Sequence, residues 1–231
     1  NINALQVIIP NDLWSGPVGE EIREYFAAPA DGLPQDEPLF TIDQIVPETF
    51  QDFVRTNRIF LFVNLDPEET ATIVKNQYAK PQTGAILKAA TEDRLIELIR
   101  EKSEGIIQSF IESEIKERQK RTAISKRPMD SLISKFGISL EIPTAYRMAA
   151  SEDSHFWFRK DLKDGEMNIL VYEVPLSSIQ NDSTAVADII KIRDSIGAHF
   201  IPVEDNEKFV TDDAYSPFIF HTSMDKKFAY E

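Results

Sequence analysis

The chain has 231 residues, 42% hydrophobic and 28% charged, with no cysteine and a formal net charge of −14. These proportions exclude a disordered tail, a collagen-like fibre and a disulfide scaffold, and without cysteine there is no thiol nucleophile and no Cys-ligated zinc. A surface this negative repels nucleic acid and anionic membranes except at a local basic patch, so no nucleic-acid partner is expected.

The length suits one large domain or two small ones. No stretch approaches the roughly 20 apolar residues that span a bilayer. Leu5–Ile9 is short and β-branched and predicts a strand, which Pro10-Asn-Asp12 breaks. Gly16-Pro17 marks a helix start, with Val18, Ile22, Tyr25 and Phe26 at helical spacing behind it. Residues 27–38 form a loop rich in Pro, Gly and Asp. Leu39–Val46 reads as a strand that Pro47 ends, and Phe50, Phe53 and Val54 predict a short helix. Ile59-Phe-Leu-Phe-Val63 is apolar at every position, the mark of a central strand covered on both sides. A polar stretch follows, then a strand near Ala85–Ala89.

Thr91 can cap a long helix that runs on to Arg121. Its buried face is expected to carry Leu95, Ile99, Ile106, Phe110 and Ile115, with a weak turn near Lys102. A short helix Met129–Phe136 ends at Gly137. The second half changes character. Ile138–Ile142, Tyr146–Ala150, His155–Lys160 and Asn168–Val174 predict four short strands, with Asp164-Gly165 as the hairpin turn between the last two. Thr184 can cap a helix ending near Gly197. Phe218–His221 and Lys227–Tyr230 predict two more strands, the second cut off by the chain end, so a further C-terminal piece is expected.

The pattern gives an α+β fold of two sheet-plus-helix layers. The sheets are mixed or antiparallel with helices on one face, and a long helix leads into the junction. The expected organisation is an N-terminal half over 1–121, a junction over 122–137 and a β-rich C-terminal half over 138–231.

No catalytic constellation emerges. The turn 11–19 could present a helix N-terminus to a phosphate, but the phosphate-loop lysine and the G-x-G-x-x-G pattern are absent, and Glu20 and Glu21 repel an anion. Trp14 beside it either stacks on a ligand or covers the core, and coverage is the commoner role. His155, His199 and His221 are singletons without the spacing of metal ligands. His155 alternates with Trp157 and Arg159 opposite Phe156 and Phe158, which predicts a solvated or partner-binding strand face. Ser151-Glu-Asp-Ser-His155 holds the residue types of a triad, but sequence neighbours do not make one. The acids Glu204, Asp205, Glu207, Asp212 and Asp213 read as a solvated loop rather than a calcium site. The basic segment 116–127 either docks an anionic partner or complements the helix dipole, and the second fits it better. No metal, no cofactor and no catalytic residue is therefore expected.

Seven segments in order resemble one family. They are Leu13–Ile22, Gly32–Phe40, Arg58–Val63, Ala79–Gln82, Phe156–Arg159, Asn168–Tyr172 and Ile192–Ile196. Together they are similar, over nearly the whole chain, to the Bacteroidetes-type lipoproteins grouped as domain-of-unknown-function family 4837. The resemblance implies an exported envelope protein, held at the membrane only through an N-terminal lipidated cysteine that would precede Asn1. It brings no activity, cofactor or site residue. The function expected is a non-enzymatic binding or assembly module whose partner is an envelope protein or glycan. Trp14, Trp157 and Arg159 are its contact candidates, since aromatics and arginine dominate interface hot spots. The alternative is a hydrolase acting on an envelope glycan or peptide in a cleft between the halves.

Overall fold

The computed structural model describes residues 1–30, 36–163, 165–180, 183–201 and 209–212. The expected strands Phe218–His221 and Lys227–Tyr230, with His221, Asp164 and the acids 204, 205, 207 and 213, lie outside the described residues. The fold is α+β, in two compact units that divide after Arg127, with Glu141–Pro143 belonging to the first.

The first unit is built on five strands: β1 (Ala4–Ile8), β2 (Thr41–Ile45), β3 (Ile59–Leu65), β4 (Thr70–Lys75) and β5 (Thr83–Ala89). Their order is β2-β1-β3-β5-β4, parallel except for β4, which pairs antiparallel with β5. Side chains alternate between the two faces. Leu5, Val7, Ile59, Leu61, Val63, Ala85 and Leu87 point to one face and are fully buried there. They pack beneath α1 (Asn11–Ser15), α2 (Pro17–Phe26) and α3 (Glu92–Ile124). Ile8 and Phe60 point to the other face, covered by Phe50 and Val54 from the 3₁₀ turns of residues 47–56. Gln6 shares that face, 4% exposed, and its Oε1 has no partner among the described residues. Burial on both faces is why Ile59–Val63 is apolar throughout.

Local chemistry sets the helix ends. Pro17 occupies the first position of α2, where no N–H is needed. Thr91 caps α3, its Oγ1 accepting from the Arg94 N–H at 3.2 Å. At 33 residues α3 is about 50 Å long. Its buried face runs Leu95, Ile99, Ser103, Ile106, Phe110 and Glu114. Small Ser103 fills the weak turn. Ile115, expected on this face, is instead 50% exposed, because the helical repeat from Phe110 reaches position 114.

Glu114 is therefore a carboxylate inside the unit, with its side chain 2% exposed. It accepts from the Asn3 N–H at 2.6 Å and from Arg58 Nε and Nη2 at 3.0 and 2.9 Å. Arg58 also donates to the Asn1 carbonyl. A second bidentate pair joins α2 to α3, with Arg100 Nε and Nη2 on Glu21 at 2.7 and 2.8 Å.

The second unit holds α4 (Asp130–Phe136), β6 (Arg147–Ser151), β7 (His155–Leu162), β8 (Gly165–Tyr172) and α5 (Ala185–Phe200). The three strands form an antiparallel sheet in sequence order. Gly137 ends α4 in the left-handed conformation, φ 68°. Helices meet this sheet on both faces. Phe136 of α4 meets Phe156 edge-on at 5.4 Å, and Phe200 of α5 stacks on His155, on the opposite face, at 3.7 Å.

Four elements differ from the sequence reading. Residues 11–15 form a short helix where a turn was expected. The polar stretch after β3 contains β4, an edge strand whose half-exposed residues show no apolar alternation. Residues 138–142 form no strand: the isolated bridge just after them joins Lys126 to Pro143, and proline has no N–H to extend it. Helix α5 continues past Gly197 to Phe200, and Gly197 serves instead to admit Phe209, whose ring a Cβ there would meet at 2.4 Å.

Two substitutions test this packing. Glu114→Ala leaves Arg58 and the Asn3 N–H without their acceptor and should cost about 3 kcal/mol. Gly84→Ala puts a methyl 2.1 Å from the Phe60 ring and should cost about 1–3 kcal/mol, relieved in part by Phe60→Leu. Urea melts followed through Trp14 in a Trp157→Phe background report the first unit alone. Wild-type midpoints in both variants would contradict these packing roles.

Candidate functional site

The site begins with the β7–β8 hairpin. Its register pairs His155 with Tyr172, Trp157 with Leu170 and Arg159 with Asn168. Strand alternation puts these six side chains on one face and Phe156, Phe158, Ile169 and Val171 on the other. A polar chain crosses the first face. Trp157 Nε1–H donates to Asn168 Oδ1 at 2.7 Å, and Asn168 Nδ2 donates to Glu166 Oε1 at 3.0 Å. Arg159 pairs with Glu166 at 2.5 Å and with Asp161 at 3.0 Å.

Helix α5 lies over the same face and leaves a cleft of about 180 Å³. Asn168, Leu170 and Tyr172 line it from the strand, and Arg193, Ile196 and Gly197 from the helix. Phe209 completes the wall. A Cβ on Gly197 would stand 2.4 Å from the Phe209 ring, so only glycine admits it. The Arg193 guanidinium lies 5.4 Å from the centre of that ring. Asp194 Oδ1 accepts from both the N–H and the hydroxyl of Thr211, each at 2.7 Å, which fastens the segment to α5. On the other flank of α5 a shallower groove of about 370 Å³ runs past Ser178, Lys191, Ile192 and Ser195.

The structure brings Trp157 and Arg159 together on one face. His155, under Phe200 of α5, is 2% exposed and Trp157 9%, whereas Arg159 farther along the face is partly exposed. Trp157 therefore orients Asn168 rather than presenting a free ring. Trp14 belongs to the first unit. It packs on the helical core with the Arg23 guanidinium 4.5 Å from its ring, and Arg23 Nη1 donates to its carbonyl at 3.2 Å. Gly19 makes this close approach feasible, since a Cβ there would lie 1.9 Å from the Trp14 oxygen.

The other sequence candidates are engaged locally. Ser154 Oγ lies 3.4 Å from His155 Nδ1, but the nearby acid Asp153 pairs with Lys135 at 3.0 Å. In the basic segment Arg121 pairs with Glu117 and Lys126 with Glu141. Among the described residues no three His, Asp or Glu side chains converge as metal ligands. Sequence reasoning missed Asn168, Tyr172, Arg193 and Phe209. The hairpin signal at Asp164-Gly165 could have placed the first two opposite Arg159 and His155, but nothing local could have placed Arg193 or Phe209.

Burial holds the Tyr172 phenol above its ordinary value of 10.0, with Arg193 pulling the other way. A phenol raised in the folded state contributes its stability in full below the unfolded pKa and loses it as pH climbs through the folded value. Stability should therefore be lower at about pH 11 than at about pH 9, and the fall should be less steep in Tyr172→Phe. Urea melts at the two pH values check this, and equal slopes in the two proteins would contradict it.

Residues 1–123 match the family model described as Domain of unknown function (DUF8532), and residues 125–231 match Domain of unknown function (DUF4837). No curated protein and no solved structure matches the chain. The likeness to the second family thus holds over the second half, whereas the first half carries a family of its own, and the two matches meet in the last turn of α3. The chain belongs to the DUF8532 family through residues 1–123, and its residues 125–231 resemble the DUF4837 family.

Proposed function

We propose that this chain is a binding or assembly module of the cell envelope, anchored there by lipid, and that the cleft beneath α5 receives one side chain of an envelope partner. The observation that carries this reading is the size and lining of the cleft. Its volume of about 180 Å³ is below the roughly 300–1,000 Å³ of pockets that enclose a whole small molecule. It fits a single ring or aliphatic side chain. Tyr172, Arg193 and Phe209 line it, and aromatics and arginine are the residues that dominate interface hot spots. The match of residues 125–231 to DUF4837 supports the envelope location through the lipoprotein character that the sequence resemblance implies for that family, and two acyl chains would supply the membrane affinity that a charge of −14 cannot.

The test is site-specific photocrosslinking in cells from exposed position 210, next to Phe209 in the wall of the cleft. The expected result is one saturable adduct, weakened about tenfold by Ile196→Ala, a loss of about 1.4 kcal/mol. The melting of the purified variant should stay close to that of the parent. An adduct unaffected by Ile196→Ala, or turnover of an envelope glycan or peptide by the purified protein, would count against the binding-module reading.

A further inference from the structure

In the first unit, the last residue of β4 and the first of β5 face each other across the ladder, Lys75 opposite Thr83. Both point to the side that α3 covers. Lys75 Nζ donates to Thr83 Oγ1 at 3.0 Å and to Ser109 Oγ of α3 at 2.9 Å. Thr83 Oγ1 donates to Ser113 Oγ, one helical turn further on, at 3.3 Å. Among the described residues no carboxylate lies within ion-pair distance of Lys75. Among the same residues three protons are left without an acceptor: the third of the ammonium and those of the Ser109 and Ser113 hydroxyls. Partial burial pushes the Lys75 ammonium below its ordinary value, and Lys116 adds repulsion against the pull of Glu112. A cation held by neutral hydroxyls on an acidic protein is a place where an anion gains and a second cation does not.

The same crease continues away from this cluster. Ile73 precedes Lys75 on the same face of β4, and Gly105 and Ile106 precede Ser109 on α3. Between them lies a groove of about 370 Å³, with Ile73, Leu87 and Ile106 as its apolar lining and Glu101 and Lys102 on its α3 wall. Nothing stands within 4 Å of where a Cβ on Gly105 would be, and Ile73 is 40% exposed. A groove with an apolar floor thus lies in the same crease between β4 and α3 as the Lys75, Ser109 and Ser113 donors.

We propose that this crease binds an amphipathic phosphate monoester, with the phosphate on Lys75, Ser109 and Ser113 and the apolar stem along Ile73 and Ile106. Three donors match the three terminal oxygens of a monoester, and the trough takes a short alkyl chain. This site is independent of the cleft in the second unit.

Calorimetric titration of the whole chain with octyl phosphate tests it, with inorganic phosphate and octanol as the separate halves of the ligand. The expected result is a saturable 1:1 isotherm, with affinity about tenfold or more above either half. Lys75→Gln and Ile73→Glu should each weaken octyl phosphate about tenfold or more. If Lys75→Gln fails to fold, Ser109→Ala with Ser113→Ala replaces it and should remove the advantage over octanol. No saturation, an affinity equal to that for inorganic phosphate, or an affinity untouched by these variants would overturn the proposal.

Discussion

A carboxylate that is 2% exposed needs donors, and Glu114 finds three of them. The Asn3 N–H comes from the segment leading into β1, and the two Arg58 donors come from the residue before β3. Helix α3 contributes the acceptor. One buried charge thus fixes the start of the central strands against the longest helix. Leaving it unpaired would cost several kcal/mol, so the pair admits few other registers of α3 on the sheet. The Glu21–Arg100 pair adds the same kind of constraint between α2 and α3. Its Arg100 is 60% exposed, so solvent weakens it, and it is the lesser of the two.

Close approaches at glycine do for packing what these charges do for register. Gly19 lets α2 run against the end of α1, Gly84 lies under the Phe60 ring, and Gly197 lies under Phe209. At each position a methyl would meet atoms within 2.4 Å. Each partner lies outside the glycine's own element, and at Gly19 and Gly197 no strand ladder joins the two segments.

The two units handle polar chemistry differently. The first places its charged and hydroxyl groups at the edges of α3, where Lys75 keeps an unmatched charge beside an apolar trough. The second threads its polar groups across a sheet face, from Trp157 through Asn168 and Glu166 to Arg159, and α5 covers the His155 end of that face. The cleft that remains is narrow because Phe209 occupies part of the space that Gly197 leaves. A narrow, aromatic-lined cleft suits recognition of one protruding group.

Much of the fold was legible in the sequence because its causes are local. The apolar run Ile59–Val63 reflects burial on two faces, Thr91 caps α3 through its own turn, Gly137 ends α4 with a positive φ, and the β7–β8 hairpin follows from its glycine turn. The likeness of the second half to its family was legible too. Other features were decided by distance along the chain. Arg58 and Asn3, which pair the inward Glu114, lie more than fifty residues away from it along the chain. Edge strand β4 exists through its pairing with β5, and its own side chains give no alternation. Trp157 and Arg159 looked like one open strand face, yet Trp157 is buried and Arg159 only partly exposed, because a strand records which residues share a face and not what lies above them. The sequence by itself determined the elements and their inward residues. Only tertiary contact decided which polar groups were paired, which were left free, and where the clefts lie.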